Sequence, residues 1–251
     1  MAVREIVVCS DQNALAYAAA QFVLGEIGLV SGRRFLLALS GGSTPALMYD
    51  VLAANRSNGE LLNSHCEFFF SDERSVAPNH PDSNFGLAQS RLFEPLGVSP
   101  GIIHRMQGEL SNLSAEADRY SRLIQDKAVV GNNGRPQLDL TVLGMGADGH
   151  TASLFPGEDS GIDKGDLVIA PWVESLKTHR LSFSMKLINA SRAVLVLVSG
   201  ESKAKAVKSA LDSTAETSKL PVSQVAAERT VWLIDQPAAS QLNWTGRILS
   251  L

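Results

Sequence analysis

Residues 35–54 read FLLALSGGSTPALMYDVLAA, and this stretch decides the fold. Residues 35–39 form an unbroken apolar run of strand length. Two glycines and two hydroxyl residues interrupt it, and Pro45 then opens a helix-forming segment that reaches Ala54. Proline suits the first turn of a helix, where the N–H it lacks would have no partner. A strand that is apolar at every position is buried on both faces, so helices must cover its sheet on both sides.

The same unit recurs outward from there. Upstream, residues 6–9 predict a strand and residues 11–27 a helix, with Ser10 or Asp11 as its N-cap. Downstream, strands are predicted at 68–70, 102–104, 138–143, 193–198 and 230–234, and helices at 82–93, 115–130 and 202–211. Residues 168–172 and 181–183 predict strands that need not run parallel to the rest. Gly131-Asn-Asn-Gly134 reads as a helix-to-strand loop rather than a linker. The expectation is one domain over residues 1–251, an α/β fold of three layers, α/β/α, with a mostly parallel Rossmann-like sheet and a few additional strands.

Bulk composition narrows the function classes. Apolar residues make up 45% of the chain and charged residues 19%, an ordinary globular balance. A net charge of −4 without a clustered Lys/Arg run argues against nucleic acid as a partner. The first apolar run, residues 6–8, is too short for a signal peptide or a membrane span, so no membrane partner is expected. Cys9 and Cys66 lie apart in strand-like segments, which suits buried thiols in a reducing compartment. A monomer in the cytoplasm is the expectation.

Polar chemistry collects where strands end. Residues 40–45 (SGGSTP), 71–74 (SDER), 144–150 (GMGADGH) and 199–203 (SGESK) each follow a strong strand. In open parallel sheets, ligands bind beyond the carboxyl ends of the strands, so the four segments should converge on one pocket.

Each segment has a chemical and a plain reading. Gly41, Gly42, Ser43 and Thr44 suit a phosphate, because glycines allow close backbone approach and a helix N-terminus adds unpaired N–H donors. The same loop also suits a glycine turn with Ser or Thr capping the helix. Arg74 offers a positive fork for a phosphate or an oxyanion, and Asp72 can hold a hydroxyl or accept a proton; a local surface ion pair is the alternative. His150, with Asp148 two residues away, is a candidate general base at neutral pH, or a loop histidine that merely caps. Lys203 near a helix start opposes the helix dipole, which hints at a ligand; Arg180 is the remaining cation, and both also read as solvated charges. No second histidine at helical spacing and no cysteine cluster accompanies His150, so no metal is expected. His80 reads as exposed and idle.

Taken together, SGGSTP at 40–45, DER at 72–74 with PDSN at 81–84, GMGADGHTASLFP at 144–156 and GESK at 200–203 resemble the 6-phosphogluconolactonase family, in order and nearly end to end. The first loop is shared with related glucosamine-6-phosphate deaminases, whereas residues 144–156 are highly specific. Residues 177–180 (KTHR) match loosely, and Ala77 stands where family members often have Pro. The resemblance implies hydrolysis of 6-phospho-D-glucono-1,5-lactone to 6-phosphogluconate, the second step of the oxidative pentose phosphate pathway, without a cofactor. It implies His150, Arg74 and Asp72 as catalytic residues. Gly41, Gly42, Ser43, Thr44, Arg74, Asn84, Asp148, Thr151, Arg180 and Lys203 are implied as substrate or phosphate contacts. The alternatives are a deaminase/isomerase on the same fold, which would typically continue past His150 with Asn-Glu-Pro, and a non-catalytic sugar-phosphate sensor.

Overall fold

The computed structural model describes residues 3–131, 134–158, 166–211, 220–242 and 248–249. Its strands are β1 (Val3–Cys9), β2 (Phe35–Leu39), β3 (Cys66–Phe70), β4 (Asp72–Arg74), β5 (Val129–Val130), β6 (Pro136–Gln137), β7 (Leu140–Gly144), β8 (Val168–Ile169), β9 (Trp172–Val173), β10 (Thr178–Phe183), β11 (Ala193–Val198), β12 (Arg229–Asp235) and β13 (Ile248–Leu249). The helices are α1 (Gln12–Gly28), α2 (Ser43–Ala54), α3 (Ser57–His65), α4 (Asn84–Ala88), α5 (Glu94–Leu96), α6 (Leu113–Lys127), α7 (Met185–Ala190), α8 (Ala204–Leu211) and α9 (Gln236–Ala239).

Seven strands build the main sheet in the order β13-β1-β12-β11-β7-β2-β3. Every pairing in it is parallel. All residues of β2 and β11 are buried, as their unbroken apolar sequences require. One apolar cluster, including Phe69, Tyr120, Phe183 and Trp232, fills one face of the sheet; a second, including Phe35, Tyr49, Phe68 and Phe70, fills the other. This is the α/β architecture anticipated from the repeated strand–helix unit. The additional strands form a small antiparallel sheet, β4-β10-β8, with β9 paired to β10. No helix among the described residues is long and apolar enough to cross a membrane.

Several boundaries differ from the sequence reading. Asp11 rather than Ser10 caps α1, accepting from the amides of Asn13 at 2.8 Å and Ala14 at 3.0 Å. Helix α2 begins at Ser43, so Pro45 lies two residues inside its first turn. The expected strand at 102–104 is a 3₁₀ turn, Pro100–Ile102, followed by a single bridge from Ile103 to Phe68. Helix α6 ends at Lys127, because the chain turns extended at Ala128 and enters the β5–β6 hairpin. The loop expected at 131–134 is the tip of that hairpin; Asn132 and Asn133 lie outside the described residues. The helix expected at 202–211 starts as a 3₁₀ turn, Glu201–Lys203.

At the sheet end where β2 and β7 begin, Asp139 is 3% exposed and grips Arg33 at 2.6 and 2.7 Å. The same carboxylate accepts the Leu36 amide at 2.9 Å. Buried Glu26 of α1 is held by Arg229 at 2.7 Å and Arg192 at 2.9 Å. These contacts tie a helix, three loops, β2 and β12 together at the end away from the strand termini discussed next.

Candidate active site

The chain runs from β2 outward to β3 and then returns to β7 on the other side of β2. Strand order therefore reverses between β2 and β7, and a parallel sheet opens a ligand crevice at such a point. These two strands pair only at Leu37–Leu140 and Ala38–Thr141 and then part. A cavity of about 220 Å³ lies above the gap, lined from all four strand-end segments: residues 40–45, Asp72 and Arg74 with Asn84, residues 144–146 with His150 and Ala152, and Leu197, Ser199 and Lys203.

One wall suits an anion. Gly42 turns the chain with φ +100° and serves as the N-cap of α2 without a side-chain cap. The first-turn amides of α2 therefore stay open to a ligand, and Ser43 and Thr44 add hydroxyls beside them. Buried Tyr49 donates to the Ser40 carbonyl at 2.6 Å and fixes the end of β2. Lys203 lines the same cavity, held by a turn whose Gly200 amide and Ser199 hydroxyl both donate to Asp235.

His150 also lines the cavity. Its Nδ1 lies 2.7 Å from Asp148 Oδ1, which also accepts the His150 amide at 3.2 Å. Burial works against the ionised Asp148, but the His150 amide and imidazole outweigh it and hold the carboxyl below the ordinary aspartate range. An ionised carboxylate only accepts, so in the neutral imidazole Nδ1 carries the proton and the lone pair is left on Nε2. A Cβ on buried Gly146 would lie 2.1 Å from His150 Nδ1 and 2.4 Å from Asp148 Oδ1; only glycine leaves room for this pair. Phe155 stacks on the imidazole with centroids 4.4 Å apart and planes at 27°.

Asp72 and Arg74, two apart on β4, both reach the cavity, whereas Glu73 between them points inward. Buried Asp72 is fixed by Ser153 Oγ at 2.8 Å and Asn84 Nδ2 at 3.1 Å. Glu73, 1% exposed, accepts the amides of Arg74, Asn84 and Phe85 and the Ser83 hydroxyl. Burial pushes its carboxyl up, against those hydrogen bonds. The Asp-Glu-Arg segment is thus no surface ion pair. Arg74 donates to the Asp82 carbonyl and faces Arg180, its register partner on β10. Burial, followed by the charge of Arg74, lowers the Arg180 pKa. A bound anion would relieve this like-charge pair.

Of the residues singled out from sequence, Gly41, Gly42, Ser43, Thr44, Asp72, Arg74, Asn84, His150 and Lys203 line one cavity. Asp148, Thr151 and Arg180 do not line it. Asp148 backs His150, buried Thr151 donates to the Gly144 carbonyl at 2.8 Å, and Arg180 stands beside Arg74. His80 is half exposed, and its ring accepts only the Asp82 amide among the described residues. Sequence reasoning gave no individual role to Met145, Ala152, Leu197 and Ser199 on the cavity wall, or to Ser153 and Phe155 as supports; Gly146, singled out for its backbone path, also lines the wall. Ser199 directly follows β11 and was findable by position. Leu197 lies within β11 next to its last residue, and the others lie in loops whose path no spacing rule fixes. Among the described residues, no group of three His, Cys, Asp or Glu side chains is placed to hold a metal ion.

Fold and site together define an open parallel α/β protein whose strand ends bring a helix N-terminus suited to an anion and a carboxylate-backed histidine to one cavity. Comparison with known proteins narrows the class. The model of the family described as glucosamine-6-phosphate isomerases/6-phosphogluconolactonase matches residues 10–232, and the chain belongs to that family. It is 36% identical to the 6-phosphogluconolactonase of Haemophilus influenzae, over 82% of this chain and 87% of that one. The Aggregatibacter actinomycetemcomitans 6-phosphogluconolactonase is 35% identical with the same coverage. Among solved structures, the Trypanosoma brucei 6-phosphogluconolactonase superposes with a TM-score of 0.84 at 25% identity, covering 96% of this chain and all of that one. A monomeric glucosamine-6-phosphate deaminase shares the fold, with a TM-score of 0.80 at 23% identity over 94% of this chain and 99% of that one.

Proposed function

We propose that the protein hydrolyses 6-phospho-D-glucono-1,5-lactone to 6-phosphogluconate, with His150 as general base. The observation that carries this reading is the Asp148–His150 pair, whose free Nε2 shares a cavity with an open helix N-terminus and Lys203. The 6-phosphate sits on the amides and hydroxyls of residues 42–44 with Lys203 in the same cavity, and Arg74 and Arg180 supply further positive charge. Water adds to the lactone carbonyl as Nε2 takes its proton. The C1–O5 bond then breaks and the imidazolium returns the proton to the ring oxygen. One water is consumed, and the new carboxylic acid releases one proton at neutral pH. Arg74 offsets charge on the carbonyl oxygen in the transition state. Phosphate binding holds a distant carbonyl in place, so its contacts act on turnover as well as affinity. Two buried free cysteines support a reducing compartment such as the cytoplasm.

The test is proton release from the lactone, corrected for spontaneous hydrolysis, with glucosamine 6-phosphate and ammonia detection in parallel. Acceleration by the wild type and none by His150→Ala, at unchanged thermal stability, is expected. Ammonia release without lactone hydrolysis would overturn the reading.

A further inference from the structure

The Asp148 hydrogen bond leaves the imidazole one freedom, tilting of its plane about the Nδ1···Oδ1 axis. Nε2 lies on the far side of the ring, so a modest tilt swings its lone pair away from a fixed direction. The flat face of Phe155, 4.4 Å from the imidazole centroid and at 27° to it, blocks that motion from one side. The chain is shaped to bring it there. Thr151 and Leu154 pair across a tight turn, the Thr151 amide donating to the Leu154 carbonyl at 3.3 Å and the Leu154 amide to the Thr151 carbonyl at 3.0 Å. His150 and Phe155 are the next residues outward on the two arms, so the turn sets them side by side. Ala152 within it has φ +47°, a left-handed conformation that costs a non-glycine residue free energy. Leu154, 1% exposed, anchors the returning arm in the core, and the Thr151 hydroxyl ties the other to β7. Phe155 itself is not part of the cavity wall.

We infer that Phe155 is a positioning residue, which holds the His150 ring plane so that Nε2 points into the cavity. This rests on His150 acting as the base, as proposed above. Because Phe155 acts through the imidazole and not on the substrate, its loss should fall on kcat and spare KM. Phe155→Leu keeps apolar bulk but removes the flat face; Phe155→Tyr keeps the face. We expect kcat for the lactone to fall about tenfold or more in Phe155→Leu with KM within twofold, and to return to within about twofold of wild type in Phe155→Tyr. Nitrogen-15 NMR of the histidines, which needs no substrate, separates this inference from the assignment of the reaction. Wild type and Phe155→Tyr should show a single Nδ1–H tautomer for His150 with a slowly exchanging proton, and Phe155→Leu a broadened, faster-exchanging one. Unchanged kcat and an unchanged His150 signature in Phe155→Leu would overturn the inference, as would a loss confined to KM. The NMR change without lactone hydrolysis by the wild type would keep the positioning role and remove the proposed reaction.

Discussion

Gly146→Ala puts the histidine–carboxylate pair to a direct test. The added methyl would lie 2.1 Å from His150 Nδ1, 2.3 Å from its Cε1 and 2.4 Å from Asp148 Oδ1. Carbon contacts settle near ~3.5 Å, so the imidazole or the carboxylate must retreat by more than about 1 Å. Phe155 stacks on the ring and limits where it can go. Either retreat breaks the 2.7 Å hydrogen bond that sets the tautomer. A misplacement of about 1 Å costs roughly 100-fold in rate, and the lost hydrogen bond adds up to another factor of ten. The expected result is a kcat for the lactone lower by about 10² to 10³ with KM little changed. The His150 side chain is 33% exposed and can swing toward solvent, so thermal stability should move little. Gly25→Ala is the control: it lies mid-helix in α1 with nothing within 4 Å of the new Cβ. That change should stabilise the protein by about 0.4–1 kcal/mol without touching kcat. A Gly146→Ala enzyme that keeps kcat within threefold of wild type would refute the reasoning about the pair.

Two further substitutions probe the two ends of the sheet. The lowered pKa of Asp148 means that it adds stability above its unfolded pKa and loses it only as the pH falls through the still lower folded value. Asp148 therefore stays ionised across the neutral range. Asp148→Asn should lower kcat about tenfold or more at every pH from about 6 to 9, read from a pH–rate profile, by removing the preference for the Nδ1–H tautomer. At the opposite end, Asp139→Ala leaves Arg33 and the Leu36 amide without their partner. A loss of about 3 kcal/mol is expected in urea unfolding, at the low end for a broken buried pair because Arg33 is one-third exposed and can take up water.

The fold was legible where physics acts locally. Residues 35–39 and 193–198 can only be fully buried strands, and their ends carry the cavity. Helix α3 was not legible, because its buried face includes Asn58 and Gly59 rather than a hydrophobic stripe. Asn58 bonds the Leu52 carbonyl at 2.8 Å, and a Cβ on Gly59 would lie 2.5 Å from the Leu96 carbonyl oxygen, so tertiary contacts explain a helix that local pattern does not predict. At the site, the glycines of residues 144–150 signalled an irregular path, but nothing in their spacing says that Asp148 reaches His150 or that Phe155 returns to it. The proximity of Arg180 to Arg74 depends on a second sheet joining segments 106 positions apart, a long-range pairing that no local pattern encodes.

The alternation within β4 limits how this chain can vary in length. Asp72 and Arg74 share one side of the strand and Glu73 takes the other, where it staples the start of α4. Deleting or inserting one residue between Ser71 and Arg74 would exchange the two sides. The guanidinium would then be forced inward against the amides that now hold a carboxylate, and that carboxylate would replace it at the cavity. Both the staple and the ligand would be lost at once. Indels in natural or designed variants should therefore be absent from residues 71–74 and accumulate instead in the polar stretch just after, residues 75–82, whose length no strand register constrains.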